Sequence, residues 1–210
     1  MLGSESASGT LLAKGKHDKE GRQRALLSSA TVTFAERGYD AATTREIADR
    51  ANCSEGLIHR YFGGKPGLLA AVLQERGDIR REDLVAQLPR AENVADELSR
   101  LMSWEADRCW EDRASMRVSV SRSIVDPELG KSAGEQFHTV RAAFLEERLE
   151  WHRDQGRIRK DVNLNAIAAL FSGLAFNAAF FAQVAYGEDR DHIKEGGKVL
   201  SEVIARGLAP

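Results

Sequence analysis

The sequence predicts an all-α protein: an N-terminal three-helix head carrying a helix-turn-helix, then a larger C-terminal helical body, about nine helices in all. Three observations predict it. Apolar residues recur at helical spacing along most of the chain, while alternating strand-like runs are hard to find. Only 4 prolines occur in 210 residues, so little interrupts a helix. Between Thr43 and Lys65, two short helical patterns flank Asn52-Cys53, too close together for a long loop.

That stretch has its own start and stop signals. Thr43 suits an N-cap, and Glu46 three residues later suits the reciprocal partner of a capping box. Ile47, Ala48 and Ala51 supply an apolar face. Asn52 tolerates the left-handed backbone that stops a helix. Ser54 suits the cap of a second helix, with Ile58 and Phe62 turned inward and Glu55, Gly56, His59 and Arg60 outward. In such a pair the second helix reads the major groove of DNA.

The segment resembles the TetR-type transcriptional regulators. The resemblance rests on Phe34-Ala-Glu-Arg-Gly38-Tyr39, Thr43, Ile47-Ala48, Ala51, Ser54, Gly56, Phe62 and Lys65, and fades after Leu68-Leu69. Asn52-Cys53 stands where the family usually has Gly-Val, and His59 where it usually has Tyr. The resemblance implies a dimeric repressor of a double-stranded operator, released by a small-molecule effector. It also implies phosphate contacts at the helix starts, from Thr44, Arg45 and above all Lys65.

Around that core the expected order is simple. Residues 1–18 read as a flexible arm, with Lys14, Lys16 and Lys19 suited either to a DNA minor groove or to solvent. The head is 19–65. Its first helix runs from about Lys19 to Arg37, with Leu27, Ala30 and Phe34 buried and Gly38 as the stop. The body is 66–210, beginning with a helix that has Pro66 in its first turn and Leu68, Leu69, Val72 and Leu73 inward. Further helices follow near 94–109, near 114–125, from Pro127 to about Gly156, from Asn163 to about Tyr186 and from about Asp191 to Arg206.

Composition excludes more than it identifies. The net charge is −2, so no general basic coat marks a nucleic-acid binder; through Lys65 there are 10 Lys and Arg against 8 Asp and Glu. Two cysteines, Cys53 and Cys109, are too few for a disulfide framework and fit a reduced, cytoplasmic setting. The five histidines show no metal-ligand spacing, and no phosphate loop, nucleophile elbow or His-Glu-x-x-His motif occurs. No enzyme, cofactor or metal is therefore expected. The uncharged run 162–187 is long enough for a bilayer, but its Asn163, Asn165, Ser172, Asn177 and Gln183 fit a helix buried by a second subunit better. With the following helix it is expected to form a homodimer interface, with Ala169, Gly173, Ala175 and Ala179 allowing close approach.

Individual residues keep alternatives open. Arg60 suits a guanine edge or a phosphate. Glu55 suits a cytosine amine or the positive end of its own helix. Tyr61 suits a phosphate or packing beside Phe62. Trp104, Phe144 and Phe171 suit the body's core, or the wall of the effector site that the resemblance implies, with Arg108 or His138 for one polar contact. The reading is a ligand-released dimeric repressor; the alternative is a helical ligand-binding protein or enzyme with a vestigial helix-turn-helix.

Overall fold

The computed structural model describes residues 6–134 and 139–210, and of residues 6–17, 76–83, 132 and 133 the backbone alone. Every regular element among them is helical. In chain order these are α1 (Ser6–Arg37), α2 (Thr44–Arg50), α3 (Gly56–Phe62), α4 (Lys65–Gln87), α5 (Val94–Glu111), α6 (Arg113–Val125), α7 (Pro127–Ala133), α8 (Val140–Asp154), α9 (Leu164–Phe176), a π-helical segment (Asn177–Ala185) and α10 (Arg190–Leu208). The chain divides into two compact units, Met1–Glu75 and Arg76–Pro210, and the division falls inside α4 rather than ahead of it. The first turns of α4 belong with the head because Leu68, Leu69, Val72 and Leu73 are all buried.

In the head, α1 reaches back to Ser6, so residues 6–18 continue the helix where a separate arm was expected. Leu11, Leu12, Ala13, Lys14 and Lys16 are good helix formers, and no proline stands among them. The inward stripe of α1 is Leu26, Ala30 and Phe34, with Leu27 only half-buried. Gly38, at φ 77°, ends the helix. Ser29 Oγ donates to the carbonyl of Ile47 at 2.8 Å, and Arg50 pairs with Glu36 at 2.8 Å, joining α1 to α2. Ile47, Ala48 and Ile58 complete the core of this unit.

In the body, α5 packs on α10 and α8 on α9. Their shared core includes Leu98, Leu101, Trp104, Leu145, Leu149, Ala168, Phe171 and Leu208. Asp126 Oδ1 accepts from the amides of Glu128 and Leu129 at 3.2 Å each, so Asp126 caps α7 and Pro127 stands in its first turn. Within the helix expected from Pro127 to about Gly156, α7 and α8 are described; Phe137 and His138, between them, lie outside the described residues. Asn163 caps α9, accepting from Ala166 N at 3.0 Å.

The long apolar run is two-sided. Ala168, Phe171, Ala175 and Ala179 face the body's own core, while Leu170 and Leu174 are 74% and 45% exposed. Ala175 and Ala179, expected on a subunit interface, are therefore core residues. The run stops being α-helical after Phe176, and the turns widen through Ala185. Phe176 and Phe180 stack there at 5.7 Å, and Gln183 Nε2 donates to the carbonyl of Ala106 at 3.0 Å.

A buried polar cluster holds the start of α5 against α8. Arg148 donates to the carbonyl of Leu88 at 2.7 Å, and Glu97 Oε2 accepts from Ala91 N at 2.8 Å. His152 stands between Glu97, 3.4 Å from its Nε2, and Arg157, 3.2 Å from its Nδ1. A guanidinium can only donate, so Nδ1 accepts, and the ring's one proton sits on Nε2 facing Glu97. His152 is thus neutral and fully buried. Its pKa lies below 6.5: burial lowers it most, Glu97 opposes that, and Arg157 and Arg148 lower it further. The unfolded chain then binds a proton that the folded chain refuses, so this contribution to stability is complete above 6.5 and is lost as pH falls through the lowered value. The melting temperature is expected to fall as pH is lowered below 6.5. His152→Gln keeps one donor and one acceptor without titrating, and thermal melts of this variant should show a smaller fall.

Candidate nucleic-acid interface

The helix-turn-helix is built from local caps. Thr43 Oγ1 accepts from Glu46 N at 3.1 Å, as an N-cap should. The Glu46 carboxylate turns to Arg37 at 3.3 Å. Asn52 adopts φ 51°, and Cys53 N reaches back to the carbonyl of Ala48 at 2.9 Å, closing the end of α2. Ser54 is not the side-chain cap expected of it. The N-cap of α3 is Glu55, with no side-chain cap bond, and Ser54 contributes its carbonyl to Leu57 N at 3.0 Å. Glu55 accepts instead from Thr44 Oγ1, which braces α2 against α3.

One face of α3 is left to solvent. Gly56, His59 and Arg60 are exposed, as are Ser54, Glu55, Thr43 and Arg45 nearby. Ile58 is fully buried underneath, and Tyr61 sits edge-on to Phe62 at 6.3 Å. The His59 ring lies over Gly64, about 3.6 Å from where a Cβ would stand. Lys65 Nζ donates to the carbonyl of Asp40 at 3.2 Å and sits 4.5 Å from the Tyr39 ring centroid, holding the loop after α1 to the start of α4. The ten residues expected at DNA lie on α2 and α3, at their N-caps, in the turn that joins them, and at the first residue of α4.

Comparison with known proteins agrees with this geometry. Residues 26–72 match the model for bacterial regulatory proteins of the tetR family. The chain is 32% identical over 154 residues to the HTH-type transcriptional repressor AcnR of Corynebacterium jeikeium, covering 70% of this chain and 74% of the relative. The chain belongs to the TetR family. Two solved structures share the fold of this TetR-family chain. The transcriptional regulator FadR from Bacillus subtilis, in complex with stearoyl-CoA, has a TM-score of 0.69 at 16% identity and covers 85% of this chain and 96% of its own. A protein from Saccharomonospora viridis in complex with choline has a TM-score of 0.70 at 20% identity, covering 86% and 95%. The relatives are regulators of transcription, and this TetR-family chain is a DNA-binding, helix-turn-helix regulator of the same kind.

Of the body residues expected at an effector, Trp104 and Phe171 share one core cluster, and Phe144 packs against it. Trp104 and Phe171 are core residues, and Trp104 Nε1 donates to Gln87 Oε1 at 3.2 Å. Phe144 lies 4.6 Å under the Arg148 guanidinium. Arg108 pairs with Glu111 at 2.7 Å, and His138 lies outside the described residues. Sequence reasoning missed a buried polar group nearby. Glu105, fully buried, pairs with Arg141 at 3.5 Å and takes the Cys109 thiol at 3.5 Å. Arg141 stands 5.4 Å over Phe176, and Gln183 Oε1 is buried without a hydrogen bond. The signal was present: Glu105 interrupts the apolar stripe Leu98, Leu101, Met102, Cys109 at helical spacing.

One glycine sets how α3 is presented. A Cβ at Gly67 would stand 1.7 Å from the carbonyl oxygen of Phe62, the last residue of α3. That oxygen is backbone and cannot swing aside. Gly67→Ala is expected to cost on the order of 3 kcal/mol in chemical denaturation, and the fraction that stays folded should bind DNA more weakly than wild type.

Proposed function

We propose that this chain represses transcription in the cytoplasm as a homodimer on a roughly palindromic operator, and that a small molecule releases it. The observation that carries the reading is the intact helix-turn-helix, capped at Thr43, turned at Asn52 and exposing Gly56, His59 and Arg60 over a buried Ile58. A vestigial motif would have no need to keep a bare face over so complete a core. Thr43, Thr44, Arg45, Ser54 and Lys65 are assigned to the backbone and Gly56 and His59 to the bases. Glu55 braces the pair.

Support for the dimer comes from α9 and α10. Leu170 and Leu174 on one, and Val199 and Val203 on the other, are between 45% and 74% exposed and spaced four residues apart. Apolar side chains repeated along two helix faces fit the same patch on a second copy. Support for an effector comes from the buried Glu105, Arg141 and Gln183 beside the stacked Phe176 and Phe180. These groups suit a ligand that is mainly apolar and carries one polar end. The two related structures hold stearoyl-CoA and choline, so the fold accepts quite different molecules. If an effector lowers DNA affinity, DNA lowers effector affinity by the same factor, roughly 1–3 kcal/mol.

Selection from random duplex DNA is expected to enrich a palindrome with half-sites about one helical turn apart, or a multiple of that; recovery of no enriched sequence would refute the reading. Leu174→Glu should give monomers by light scattering and weaken operator binding by roughly 100-fold or more, through loss of bivalency. A dimeric Leu174→Glu protein would refute the interface.

A further inference from the structure

We propose that Lys19 and Arg22 of α1, together with Arg60 and Tyr61 of α3, form a phosphate-binding site that grips the DNA backbone beside the recognition helix. The proposal rests on the DNA-binding reading above and adds to it a site outside the helix-turn-helix.

These side chains line one open concavity of about 300 Å³, with Asp18 as the fifth wall. Lys19 Nζ stands 5.7 Å from the centroid of the Tyr61 ring, so α1 and the end of α3 meet there. Residues 18, 19 and 22 share a face of α1 because they are three and four apart. The lining is rich in donors: two guanidiniums, an ammonium and a phenol. A phosphodiester has only acceptors and one negative charge, and it matches such a lining. Asp18 is the single acid, and it already pairs with Arg22. The concavity is polar and open to solvent, as a site for a strand passing over the surface must be.

Two facts favour DNA over a free anion. The site is continuous with the exposed face of α3, where Arg60 follows His59. And the head carries only a small positive excess, so three cations converging on one hollow are a large share of what it can offer a polyanion. Lys19 and Arg22 lie on α1, ahead of the matched segment 26–72. The site also resolves the two roles open to Arg60 in favour of phosphate, leaving base reading to the first turn of α3 and to His59. For Lys19 it replaces the minor groove with the backbone.

The test is the salt dependence of binding to the duplex that the wild-type chain itself enriches. Lys19→Ala/Arg22→Ala should weaken every sequence alike and make the slope of log K against log salt shallower by about 1–2, with the enriched sequence unchanged. Arg60→Ala should also flatten the slope without altering the sequence. Lys19→Arg/Arg22→Lys should restore the wild-type slope, which shows that charge and not fold is at issue. Asp18→Asn removes the competing carboxylate and should tighten binding. A wild-type slope and affinity in the double alanine variant, or weaker binding by Asp18→Asn, would overturn the phosphate site while leaving the regulator reading standing. A changed base preference in Arg60→Ala would overturn the assignment of Arg60. A wild-type chain that enriches no sequence would overturn both readings together.

Discussion

The carbonyl oxygen of Phe62 occupies the space where residue 67 would otherwise carry a side chain, and the head depends on that contact. It lets α4 turn back directly beneath the end of α3. Gly63 and Gly64, at φ 75° and 109°, make the reversal, and Leu68 N closes on the carbonyl of Gly64 at 3.0 Å. The other end of α3 is held by the left-handed Asn52 and by Glu55 against Thr44. With both ends fixed and Ile58 buried between them, a helix of only seven residues is held by its surroundings as well as by its own hydrogen bonds. Short isolated helices do not persist in water, so the exposed face of α3 exists because the head's core holds it.

The body is organised differently. Its core is apolar, but two acids of α5 are buried against basic residues of α8: Glu97 with Arg148 and His152, and Glu105 with Arg141. Buried ion pairs add little net stability, because removing both charges from water costs about what their attraction returns. Breaking one partner leaves the other stranded. Such pairs therefore fix which faces of α5 and α8 meet, and apolar contacts supply most of the free energy. The Glu97 cluster also holds the backbone of Leu88 and Ala91, so the end of α4 and the start of α5 are tied to α8.

Much of this was legible in the sequence where the signal is local. Thr43, Gly38, Asn52, Asp126 and Asn163 start or stop helices through their own conformational preferences, and each does so within a few residues of where the pattern places it. Signals that lack contrast were misread. Leu26 and Leu27 are adjacent, so periodicity alone does not choose the buried one. In α9 nearly every residue is apolar, and the pattern cannot tell Leu174 from Ala175; only packing in the body's core decides that Ala175 is inside. The Glu97–His152 contact joins residues 55 apart in the chain and leaves no mark in either neighbourhood. The helical pattern assigned Ser54 a cap that the turn geometry gives to Glu55.

The proposed account makes the protein a two-fold device: one recognition helix per chain, paired through the exposed leucines and valines of α9 and α10. The most direct test is hydroxyl-radical footprinting of the selected duplex, combined with the mass of the complex. The account predicts two mirror-related protected segments and two chains, or a multiple of two, per duplex. A single protected segment carrying one chain, at concentrations that saturate the DNA, would contradict it.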